Sequence, residues 1–217
     1  QKKIPPIAIL ITMVIMATYH WFKNDMDACL DMVEKGIDLG NTSGIHLVDT
    51  ALIAHAAYAT LMTGEQELAS QYLEQMARVS NEQSHLDVAH YHYLYAWQCL
   101  EQGHFEKAYE YIRVGVERAD AAGTKQARGF AQYTLGVALC EIGDFDGAQK
   151  AHDKGREFGT SMESGYFEAA YQFCTALCSL RQGDRCDAAE RVGQALSIVR
   201  QQGYTTIPWI GWYRTAF

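Results

Sequence analysis

Small and turn-forming residues return along this chain at a fixed interval, with alternating apolar and polar runs between them. Gly64, Gly103, Gly143 and Gly183 lie 39, 40 and 40 residues apart, and one more step of 40 back reaches Asn24. Asparagine is the residue that best replaces glycine in a left-handed turn. Five residues past each turn position stand Cys29, Ala69, Ala108, Ala148 and Ala188; seven residues before it stand Ala17, Ala57, Ala96, Gly136 and Ala176. The columns predict a helical hairpin in each repeat. A first helix ends at the glycine or asparagine, which caps it, and a second helix starts a residue or two later. The small columns on either side let the two helices approach where they cross. "LEQGHFEKAYEYI" (100–112) and "CEIGDFDGAQKAH" (140–152) display the turn most plainly. Met26, Phe105 and Phe145 stand two residues past the turn, a column that Gln66 and Arg185 break, and Gly44, Gly123 and Gly203 mark a second loop 20 residues past it.

This arrangement of a small residue, glycine seven on and alanine five further resembles the tetratricopeptide repeat (TPR). The usual period of that family is about 34 residues with a terminal proline, and the proline is absent here. A period near 40 resembles the superhelical sensor region of the large MalT-like ATP-dependent bacterial transcriptional regulators, whose hairpins are longer. The resemblance covers residues 4–203. It implies an all-α fold: a right-handed superhelix of about five TPR-like hairpins in a single domain over 1–217. The repeats fall at about 4–44, 45–84, 85–123, 124–163 and 164–203, with 204–217 opening a sixth. Pro208 suits the first turn of that further helix, and "IPWIGWYRTAF" resembles the segment closing the array in some of these regulators.

The same resemblance implies a binding face. First helices line the concave surface of such arrays and second helices the outer one, with ligand-facing columns 13, 10, 6 and 3 residues before the turn. At minus ten stand Val14, Ala54, Tyr93, Tyr133 and Phe173; at minus six, Thr18, Tyr58, Trp97, Val137 and Leu177. At minus thirteen stand Ile11, Ala51, His90, Phe130 and Ala170; at minus three, Trp21, Leu61, Leu100, Cys140 and Leu180. Ile210, Tyr213 and Phe217 continue the rule into the sixth helix. The surface is aromatic and almost uncharged. It fits a small apolar or sugar-like effector, or an amphipathic segment of a protein partner, with Tyr58, Tyr93, Trp97, Phe130, Tyr133 and Phe173 as contacts and His90 as a polar one. The competing expectation is that these side chains pack against each other or against a neighbouring domain.

Composition narrows the function classes. The formal charge is −8, which argues against direct nucleic-acid contact by this segment. The stretch "HLDVAHYHYLYAW" (85–97) holds three histidines, yet His90 and His92 point to different sides of a helix. No HExxH motif or Cys/His quartet occurs, so no metal and no cofactor is expected. No phosphate loop or nucleophile elbow appears, and the acidic residues spread along the second helices as solvated faces; no enzymatic activity is expected. The six cysteines form no CxxC pair and read as reduced, buried thiols of a cytoplasmic protein. "KKIPPIAILITMVIMA" (2–17) looks like a signal peptide but is short for a membrane span, and the register makes residues 4–22 the first helix of repeat one. A chain that opens on Gln1 and ends on an apolar run reads as a piece of something larger. The function expected is therefore a non-catalytic sensor or scaffold of a transcriptional regulator, which binds a protein partner or small effector on its concave face. A general TPR adaptor unrelated to transcription is the alternative. Self-association through the apolar terminal repeats is a further expectation, and no membrane contact is expected.

Overall fold

A computed structural model describes residues 4–203. Among the described residues ten α-helices follow one another and no strand occurs: α1 (Pro6–Phe22), α2 (Met26–Ser43), α3 (Asp49–Thr63), α4 (Gln66–Val79), α5 (His85–Glu101), α6 (Phe105–Ala122), α7 (Lys125–Glu141), α8 (Phe145–Thr160), α9 (Gly165–Arg181) and α10 (Arg185–Gln202). They pair into five hairpins, odd helix with the even one that follows. The expected sixth helix, with Pro208, Ile210, Tyr213 and Phe217, lies outside the described residues.

One turn is built five times. Asn24, Gly64, Gly103, Gly143 and Gly183 all have left-handed backbones, with φ of 57°, 83°, 74°, 89° and 87°. The amide one residue past each turn donates to the carbonyl four residues before it: Asp25 to His20, Glu65 to Thr60, His104 to Cys99, Asp144 to Leu139 and Asp184 to Ser179. These bonds satisfy carbonyls that the end of a helix leaves unpaired. The carboxylates of Asp25, Asp144 and Asp184 then accept from the amides of Ala28, Gly147 and Asp187 and so cap the second helix. The small columns sit inside each hairpin, where Ala17, Cys29, Ala57, Ala69, Ala96, Ala108, Ala148, Ala176 and Ala188 are all buried.

The chain divides into two compact units, Gln1–Asn81 and Glu82–Phe217. In the first, α1 packs on α2 and α3, α2 on α3, and α3 on α4. In the second, α5, α7 and α9 form a row with α7 in the middle; α6 packs against α7, and α8 against α9. Within this unit α7 and α9 are buried on almost every side. The second helix α6 instead buries a single stripe, Ala108, Ile112, Gly115 and Ala119, spaced four, three and four as one helix face requires. Burial of a side chain the size of Ile112 stabilises the fold by about 2 kcal/mol.

The N-terminal apolar stretch is an ordinary member of the first unit: Leu10, Ala17 and Trp21 of α1 are buried. Among the described residues no helix is long and apolar enough to cross a membrane. All six cysteines are free thiols, and five are buried. Cys186 departs from that expectation. It follows the turn at Gly183 on the first turn of α10, where the helix faces solvent.

Candidate functional site

The candidate site was expected from first-helix residues, and each unit holds part of that set. In the first unit Tyr58 is buried, its ring 5.1 Å from that of Trp21 and 6.0 Å from that of His55. The Trp21 indole donates to Met62 Sδ at 3.0 Å. Burial alone raises the Tyr58 phenol above its ordinary pKa.

The second unit brings four expected residues together, Tyr93, Phe130, Tyr133 and His90. Tyr93 stacks on Phe130 at 6.0 Å, and Phe130 lies 5.0 Å from Phe167, which in turn lies 5.9 Å from Tyr133. His90 stands edge-on to Tyr93 at 5.8 Å and is half-buried, whereas Tyr93, Phe130 and Tyr133 are buried. The Tyr133 hydroxyl donates to the Phe167 carbonyl at 2.8 Å, which ties α7 to α9. Its phenol is pushed up, first by desolvation and then by the nearby Cys174 and Glu168. Phe173 packs with Ala169 and with Ala195 of its own second helix, α10.

Phe167 and Tyr166 were not expected in the cluster. The place of Phe167 is made by glycines: a Cβ on Gly129 would run into the Phe167 ring, and one on Gly159 would run into Phe167 Cβ. Gly155 makes room for the Tyr133 ring in the same way, at 2.9 Å. The signal existed in the chain. Twelve residues past the turns stand Gly36, Met76, Gly115, Gly155 and Ala195, a mostly small column that faces the first helices.

Beyond the ladder, toward the turn end of the row, lies a cavity of about 340 Å³ lined by Leu100, Glu101, Gln102, Gly103, Phe105, Val137, Glu141 and Arg181. Leu100 and Val137 belong to two of the expected ligand columns. The buried Trp97 indole donates to Oε1 of one lining residue, Glu101, at 3.1 Å. Glu141 accepts from Arg181 Nε and Nη2 at 2.8–3.1 Å, a bidentate clamp between α7 and α9. That hydrogen bonding raises the Arg181 pKa further. Glu101, Glu141 and Arg181 all stand two residues before their turns, so opposite charges in one column of adjacent repeats foreshadow the clamp.

The three histidines of α5 go to separate neighbours. His85 Nδ1 lies 3.2 Å from Arg118 Nη1, the His92 ring packs on Tyr111, and His90 meets Tyr93. Among the described residues no group of three or more His, Cys, Asp or Glu could hold a metal ion.

Neither a family model nor a curated protein sequence matches this chain. Solved structures do. A Podosopora anserina protein of the kinesin light chain type, built from nearly identical TPR-like repeats, is 18% identical and superimposes with a TM-score of 0.55, over 92% of this chain and 99% of its own. A single-substitution variant of it is 17% identical with a TM-score of 0.57, over 93% and 99%. At that identity the likeness concerns architecture, and it agrees with the five hairpins: the chain has the all-α fold of TPR-like helical repeats.

Proposed function

We propose that this chain is a non-catalytic scaffold of the cytoplasm that takes an amphipathic segment of a protein partner on the first-helix face of its second unit. One observation carries the reading. The cavity at Leu100, Phe105 and Val137 has an apolar floor with Glu101, Glu141 and Arg181 around it, the combination that suits an apolar side chain flanked by polar backbone. The buried rings of Tyr93, Trp97, Phe130 and Tyr133 serve it as a rigid backing, with His90 as the polar contact nearest them. Panning displayed peptides against the chain is expected to select sequences whose binding is lost in Gln102→Trp, a change at an exposed residue on the rim. Selected peptides that bind the variant and the parent equally would contradict the placement.

The finer reading, a sensor region of a MalT-like regulator, is supported by the repeat interval of 39–40 residues. It is tested in the gene: a phosphate loop upstream and a DNA-binding domain at one end are expected. A gene without either would leave the chain a general adaptor.

A further inference from the structure

The cavity at the turn end of the row has a charge as well as a shape. On the reading of this cavity as the docking site, we propose that the partner segment seats a lysine or arginine in it, beside its apolar anchor. The walls come from three successive hairpins, and three ionisable side chains line them: Glu101, Glu141 and Arg181. Two carboxylates thus face one guanidinium, and that guanidinium is engaged with Glu141 through both Nε and Nη2. Each of the three is the last residue of its helix, α5, α7 and α9. Three helix C-termini, where the macrodipole is negative, therefore converge on the cavity, and only α6 starts there, at Phe105.

A glutamate is the wrong charge for the end of a helix, where lysine, arginine or histidine is the favourable choice. Neither α5 nor α7 carries a basic residue in its last turn. The α7 end receives its cation from the next repeat, as Arg181; the same service at the α5 end falls to a cation from outside. The Trp97 indole bond to Glu101 Oε1 fixes the carboxylate without cancelling its charge, so the acceptor is held in place before the partner arrives. The rest of the lining suits a long basic side chain. Its aliphatic stem lies along Leu100 and Val137 while the head stays polar, and the half-buried Phe105 ring offers a face to a cation. An acidic segment would meet like charge and the negative helix ends. A wholly apolar one would desolvate the carboxylates and give them nothing in return.

Three displayed peptide libraries, alike in their randomised positions and differing in one fixed residue (Arg, Gln or Glu), are panned on the chain in parallel. The Arg library is expected to yield the cavity-dependent binders, those lost in Gln102→Trp. Calorimetry on the best of them then reads the contact from both sides. Exchange of the peptide's Arg for Gln should weaken binding by about tenfold or more. Glu101→Gln should weaken the Arg peptide to the same extent and leave the Gln peptide within about twofold, the coupling of a double-mutant cycle. Glutamine keeps an acceptor for the Trp97 indole, so the melting curve should not move, and the peptide-side exchange reads the same contact without touching the fold. Cavity-dependent binders of equal affinity from the Gln or Glu library would overturn the basic occupant and leave the docking site standing. So would an Arg peptide that binds Glu101→Gln as tightly as the parent. Peptides from all three libraries that bind Gln102→Trp and the parent equally would remove the docking site and the basic occupant together.

Discussion

His152 stands where the other repeats place an aliphatic side chain: nine residues past their turns are Val33, Leu73, Ile112 and Val192. Its ring is buried and neither ring nitrogen has a hydrogen-bond partner. Desolvation holds its pKa down at about 3, against a small upward pull from Asp153. Because the unfolded value is near 6.5, the unfolded chain takes up the proton first. The stability present above pH ~6.5 is therefore lost as pH falls toward 3, by at most about 1.4 kcal/mol per pH unit. His152→Leu should remove this slope and raise stability at pH 7 by ~1 kcal/mol. Urea midpoints at pH 7.5 and 5 for both proteins measure it; equal losses in both would contradict the assignment. His55 and His92, whose pKa values are also lowered by burial, remain in both proteins and cancel.

The same ring explains a gap in the small column. A Cβ on Gly136 would lie 2.1 Å from the His152 ring, so this repeat has glycine where the others have alanine. Gly136→Ala should cost about 2–3 kcal/mol in the parent and far less in a His152→Val background, a coupling that a double-mutant cycle reads directly. Glu163 stands 20 residues past Gly143, where Gly44, Gly123 and Gly203 stand in other repeats, and has φ of 53°. Glu163→Gly should stabilise the chain by about 1 kcal/mol, seen as a higher melting temperature. At this scale the sequence was legible wherever backbone geometry selects a residue type. His152 was legible only through its column, nine residues past the turn, where the other repeats carry aliphatic side chains.

Among elements, hairpins and turns could be read from spacing, since one glycine and two small residues are enough to define a crossing. The aromatic ladder could be read only in part. Tyr93, Phe130 and Tyr133 stand in the expected columns, but their direction depends on Gly129, Gly155 and Gly159 on other elements, and Phe167 enters through the gap those glycines leave. Helices buried on all sides, such as α7 and α9, show little periodicity to mark the face that meets each neighbour. The Tyr133 hydroxyl tests the ladder. Tyr133→Phe leaves the Phe167 carbonyl without that donor and should cost about 1–2 kcal/mol, with no change in helix content. A neutral result would mean that the Tyr133 hydroxyl adds nothing to what apolar packing and the Glu141–Arg181 clamp already supply between α7 and α9.

On the scale of the whole molecule, ten described helices repeat one design, and function rests on the departures from it. α1 lacks the charge that α7 and α9 offer the hairpin before them. The row of α5, α7 and α9 opens at one end into a cavity beside a tryptophan. The aromatic columns pointed to that row but not to the opening, whose walls are polar and come from three repeats. The most direct test of the binding scaffold is a titration of ¹⁵N-labelled chain with a selected peptide, following the tryptophan indole resonances. Trp97, whose indole N–H meets Glu101 beside the cavity, is expected to shift, while Trp21, held by Met62 in the first unit, stays in place. A peptide that binds and moves Trp21 alone, or neither indole, would contradict the account.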